Sequence, residues 1–134
     1  MAARLAGQHG LAAVVGDGGS LPFAARSFDL VLLSQVAHHF APDAIVRLLR
    51  ECGRVARRAV IVADLRRSLL AAVGFRLAAT LLRFDPETLR DGVTSLRRGF
   101  TRASLGALLA QAGTATAVAR RPGARLVAVW HSEG

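Results

Sequence analysis

Phe28-Asp29-Leu30-Val31-Leu32-Leu33 and Ala59-Val60-Ile61-Val62-Ala63 are the two stretches on which the fold turns. Each is short and mostly apolar. The second is apolar on both faces and rich in branched side chains, as a parallel strand covered by helices is. Between them Ile45, Leu48, Leu49, Cys52 and Val55 recur at helical spacing, while Arg47, Arg50, Glu51, Arg54 and Arg57 take the opposite face. Asp43 stands where the helix begins and Arg57 and Arg58 near its end, charges that suit the two ends of a helix dipole. Strand, crossover helix, strand predicts a right-handed parallel unit.

Working outward, Ala12-Ala13-Val14-Val15 reads as an earlier buried strand, stopped by Gly16-Asp17-Gly18-Gly19. Downstream, Ser68 to Phe84 predicts a mostly apolar helix. Thr101 to Ala112 predicts another, with Thr101 as its cap and Gly113 as its end. Thr114 to Arg120 and Arg125 to Trp130 face each other across Arg121-Pro122-Gly123, a link so short that it implies an antiparallel hairpin at one sheet edge. The expectation is one α/β domain over residues 1–134, without repeats or low-complexity tracts.

Composition narrows the function classes. The chain has 134 residues, 52% hydrophobic, enough for a core and unlike a disordered tail. Its longest nearly apolar stretch, Leu69 to Leu82, is interrupted by Gly74 and Arg76 and falls short of the roughly 20 residues that span a bilayer. The first residues lack a secretory signal's apolar segment, which favours the cytoplasm. All 18 basic residues are arginine and the net charge is +9, which would favour nucleic acid or anionic surfaces. They are scattered as single residues and pairs, without interleaved aromatics, which argues against nucleic-acid binding. Cys52 reads as a small core residue, and the histidines at 9, 38, 39 and 131 lack zinc-ligand spacing, so no metal site is expected.

The order of elements and their local wording resemble the class I S-adenosylmethionine-dependent methyltransferases, in particular the small-molecule, type 11-like branch. The matching text is Gly16-Asp17-Gly18-Gly19-Ser20-Leu21-Pro22-Phe23, Ser27-Phe28-Asp29-Leu30-Val31 and Val36-Ala37-His38-His39-Phe40. To these are added Phe100 to Leu105, Leu108 to Gly113 and the terminal hairpin. The resemblance implies a Rossmann-like open α/β sheet, mostly parallel with a C-terminal antiparallel hairpin, whose strands here would be the third to the seventh of the family. It also implies S-adenosylmethionine as cofactor and a small methyl acceptor.

One departure stands out. The family's first two strands, its Gly-x-Gly loop and the acidic residue for the ribose would all precede Gly16, where fifteen residues stand. Three resolutions follow: a fragment with a misplaced start, a partner chain that completes the sheet, or Ala12–Val15 pairing directly with Asp29–Leu33. The first is the favoured biological explanation and the third the favoured conformation of the chain alone.

By resemblance, Asp17 would receive the adenine amine with Gly16 and Gly18 beside it; read from the residues alone, Asp17 is equally a turn residue. Ser34 and Gln35 would line the floor under the cofactor, and His38 would face the methyl group or the acceptor as a general base. His38 and His39 could instead be a helix-start pair, one packed and one solvated. His39, Asp64 and Arg67 would form the acceptor pocket's rim, although Asp64 could simply cap the next helix. That apolar helix reads as core packing, or, in this family, as a cover over the acceptor site that favours a hydrophobic or lipid-like acceptor. The expected activity is methyl transfer by the complete form, this chain being impaired as it stands. The alternative is a non-catalytic interaction module whose sheet a partner completes.

Overall fold

A computed structural model describes residues 12, 14–114 and 116–131. Its elements, in chain order, are strand β1 (Phe28–Ser34), a 3-10 turn (Ala37–His39), helix α1 (Pro42–Val55) and strand β2 (Ala56–Leu65). Helices α2 (Leu69–Leu81), α3 (Pro86–Arg98) and α4 (Arg102–Gln111) follow, then strands β3 (Val118–Arg121) and β4 (Arg125–His131). The four strands form one sheet in the order β1-β2-β4-β3. β1 and β2 are parallel, with Val31 beside Val60 and Leu33 beside Val62. β4 runs antiparallel to β2 and to β3, as the hairpin required.

The period-2 alternation decides what each strand contributes. Leu33, Val60, Val62, Leu126, Ala128 and Trp130 share one face and meet Ile45, Leu49 and Cys52 of α1 and Leu105 and Leu109 of α4. The apolar positions of α1 noted in the sequence are all buried, with Val46 added. Helix α4 starts as Thr101 predicted, in a capping box with Ser104.

The opposite face is less covered. Leu30 and Leu32, beside Ala59 and Ile61, are 61% and 65% exposed, and Val129 is exposed beyond them. Among the described residues β1 pairs with β2 alone.

Three expectations change. The strand over Ala12–Val15 is not formed: Ala12, Val14 and Val15 carry no strand structure and are exposed, and Ala13 lies outside the described residues. It therefore does not pair with Asp29–Leu33. The physical reason lies in the residues just after it, which are tied to α1. The Leu21 amide donates to Glu51, and the Arg54 guanidinium donates to the carbonyls of Leu21 and Phe23.

Helix α2 is not core. It buries only Ala72 and Ala79 and turns its leucines outward. Helix α3, absent from the sequence reading, has a short apolar stripe in Leu89, Val93 and Leu96 that is only half-buried. Its start was written in Asp85-Pro86-Glu87, a cap, a proline at the first turn and an acid near the positive helix end.

Candidate functional site

The parallel pair β1 and β2 ends at one edge, and the chain leaving β1 there folds back over the end of β2. Gln35 makes the reversal in the left-handed region, with φ of 53°, and its amide donates to the Ala63 carbonyl at 2.8 Å. A non-glycine residue held there is strained and is found most often at functional sites. The following turn, Ala37–His39, places the Ala37 amide 2.8 Å from Oδ2 of Asp64.

Asp64 is fully buried near the end of β2. Its Oδ1 receives the Leu65 amide at 2.7 Å and lies 2.6 Å from Nδ1 of His38. A buried carboxylate with two backbone donors and the imidazole around it is satisfied as an acceptor. In the neutral ring Nδ1 of His38 then carries the hydrogen and donates it, and Nε2 is the acceptor. That Nε2 is buried and has no hydrogen-bond partner among the described residues. His38 is packed and His39 exposed, as the bland reading held, but the unpaired Nε2 and the buried carboxylate behind the ring go beyond it.

His38 lines two cavities. The larger, about 610 Å³, is walled by Gln35, His38 and His39, by Leu65 and Arg125 of the sheet, by Phe75 of α2, and by Thr88, Asp91, Gly92, Ser95 and Leu96 of α3. That size suits a small organic molecule. Thr88, Asp91 and Ser95 recur at intervals of three and four, so they form one polar stripe of α3 facing the cavity. Gly92 lies within that stripe because a Cβ there would sit 2.2 Å from the Phe75 ring. The smaller cavity, about 370 Å³, joins His38 to Arg67, Arg98, Ser104 and Gln111. Arg67 is oriented by its Nε, which donates to the Gly99 carbonyl at 3.1 Å. Gly99 is itself obligatory, since a Cβ would come within 2.7 Å of the Leu65 carbonyl oxygen.

The structure thus gathers Gln35, His38 and His39 around the larger cavity and brings Arg67 to the smaller. Asp64, expected on the acceptor's rim, lies behind His38 and lines neither. It does not cap α2 either; Ser68 does, accepting from the Ala71 amide. Ser34 lines neither cavity. Gly16, Asp17 and Gly18 also lie outside both: a Cβ on Gly16 would meet Pro22 and one on Gly18 would meet Leu48 of α1, and Asp17 receives the Gly19 amide at 2.8 Å within its own turn. Sequence reasoning missed Phe75 and the α3 stripe; the spacing of Thr88, Asp91 and Ser95 was the available signal. Among the described residues no group of three or more candidate ligands could hold a metal ion.

Comparison with known proteins gives this geometry a context. Residues 1–63 match the family model described as a methyltransferase domain. The chain carries a class I methyltransferase fold. A S-adenosylmethionine-dependent methyltransferase from Thermotoga maritima superimposes with a TM-score of 0.67 at 18% identity, over 98% of this chain and 69% of that one. One from Aquifex aeolicus gives 0.63 at 14% identity, over 97% and 61%. The magnesium protoporphyrin IX methyltransferase of Synechocystis, solved with S-adenosylhomocysteine bound, gives 0.53 at 14% identity, over 92% and 52%. The chain spans only part of the solved structures it matches, as little as 38% in two cases. No curated protein matches it.

The fit of the methyltransferase cofactor to the described residues is one-sided. Gln35 and His38 share the larger cavity, whereas Asp17 receives the Gly19 amide within its own turn and lines neither cavity.

Proposed function

We propose that this chain supplies the acceptor side of a S-adenosylmethionine-dependent methyltransferase, and that the acceptor is a small, largely apolar molecule bearing a hydroxyl group. The observation that carries this reading is the buried, partnerless Nε2 of His38, held by Asp64 on the far side of its ring. The cofactor, when bound, supplies a methyl group on a sulfonium. His38 takes the hydroxyl proton at Nε2, Asp64 fixes the ring and its tautomer, and the Gln35 turn closes the floor. Phe75 and Leu65 receive the acceptor's apolar body, and Thr88, Asp91 and Ser95 offer it polar contacts. Positioning contributes alongside proton removal, because two bound reactants need only the right approach.

The test is transfer of labelled methyl from S-adenosylmethionine to a panel of small phenols and alcohols. His38→Gln should lower kcat by about 10²-fold or more. An unchanged rate in that variant would overturn the role given to His38, and absence of transfer to every hydroxyl acceptor by protein that binds S-adenosylhomocysteine in calorimetry would overturn the acceptor class.

A second reading is favoured by the open side of β1. Exposed Leu30 and Leu32 on a strand that has one edge unpaired among the described residues offer a site where a further strand adds, and an interaction module completed by a partner chain would use it. A monomer that binds S-adenosylhomocysteine by calorimetry speaks for the methyltransferase; a complex without cofactor binding speaks for the module.

A further inference from the structure

Helix α2 wears its apolar side outward. Leu70, Val73, Leu77 and Leu81 follow one another at intervals of three and four, a single stripe, and Leu70 and Leu81 are each 84% exposed. The helix packs on α3, with Phe75 set against Gly92, and buries only the small residues Ala72 and Ala79. Its charges have one sign: Arg66 and Arg67 precede it, Arg76 lies within it and Arg83 follows, with no acidic residue between Arg66 and Phe84. Arg76 and Arg83 flank Val73, Leu77 and Leu81 in a shallow groove of about 560 Å³. With 13 residues the helix is about 20 Å long, too short to cross a bilayer but suited to lie along one.

We propose that the outward face of α2 docks this protein on an anionic lipid bilayer, its leucines entering the acyl boundary and Arg76 and Arg83 resting on lipid phosphates. Charge selects this occupant. A second copy would bring the same arginine-flanked face against itself, and a chain carrying a net +9 is drawn to an anionic surface before any contact forms. The inner side of the same helix gives Phe75 to the His38 cavity, so docking sets that cavity at the membrane surface. Taken with the methyl-transfer reading, on which this one extension rests, the acceptor would be drawn from the lipid phase; the docking itself is measured without catalysis.

The experiment is co-sedimentation of the full chain with vesicles of phosphatidylcholine alone and of phosphatidylcholine with one third phosphatidylglycerol. Binding is expected to the anionic vesicles, weakening as salt is raised. Arg76→Gln with Arg83→Gln should reduce affinity about tenfold or more, and Leu70→Glu with Leu77→Glu should abolish it. These side chains are exposed, so far-UV circular dichroism should be unchanged. If the double glutamate variant unfolds, Leu77→Trp decides, its added fluorescence shifting to the blue with anionic vesicles only. Failure to pellet with the anionic vesicles, equal pelleting with both, or a dimer that the glutamate variant converts to monomer would overturn the proposal.

Discussion

Nδ1 of His38 lies 2.6 Å from Oδ1 of Asp64, across a sequence gap of 26 residues, and both side chains are buried. The pairing exists because two parallel strands end at one edge and the turn after the first folds over the end of the second. One carboxylate therefore does two jobs. It holds the turn through the Ala37 amide and fixes the imidazole that the turn carries.

Asp64→Asn should test both jobs. An amide cannot accept from the imidazole and both backbone donors with its nitrogen in place of one oxygen, so a buried donor loses its partner. The expected cost is about 1–3 kcal/mol, read as a lower denaturant midpoint with an unchanged slope. Methyl transfer should fall through kcat, with the KM of the acceptor nearly constant.

Gly92→Ala acts on the cavity from its far wall. The added methyl would meet the Phe75 ring at 2.2 Å, so the ring must move. Because that ring lines the cavity, the acceptor's KM should change severalfold while the His38–Asp64 pair stays intact. Pairing Gly92→Ala with Phe75→Leu, which frees the space, should restore much of the loss.

Glu51 predicts a pH dependence. Its carboxyl is held down to about 2, first by the Arg54 guanidinium and then by the Leu21 amide. A carboxyl depressed in the folded state contributes stability that is present above the ordinary glutamate range and is lost as pH falls from about 4.5 toward 2. The stretch Leu21 to Phe23 should therefore detach from α1 over that window, seen as faster amide exchange at Leu21. Glu51→Gln should show the faster exchange already at neutral pH.

Cys52 should be inert in the folded protein. Burial against Leu49 and its neighbours, aided by the Glu51 charge, pushes its thiol up to about 11. A thiol reagent at mildly alkaline pH should react slowly with native protein and at the ordinary rate once denaturant is added.

Much of this was legible in the sequence because it obeys short-range rules. The crossover helix showed in the spacing of Ile45, Leu49 and Cys52, the last helix in Thr101 and Gly113, and the hairpin in Pro122-Gly123. What failed depended on contacts the local pattern does not encode. Val14 and Val15 look like strand residues but stand exposed, since the loop after them is bound by Arg54. The leucines of α2 look like core, yet only Ala72 and Ala79 of that helix are buried, and α3 keeps its own apolar residues half-buried. At the site, His38 was visible as a histidine after a strand. That Asp64 would sit behind it instead of beside the acceptor followed only from the register of β1 against β2 and the fold of the turn between them.

The central claim is that Asp64 holds His38 with its hydrogen on Nδ1 and Nε2 unprotonated, and the nitrogen chemical shifts of the His38 ring in labelled protein measure this directly. The account predicts a protonated, pyrrole-like Nδ1 and a bare, pyridine-like Nε2 in the neutral ring, with that distinction lost in Asp64→Asn. A pyridine-like Nδ1 with the proton on Nε2 would contradict it.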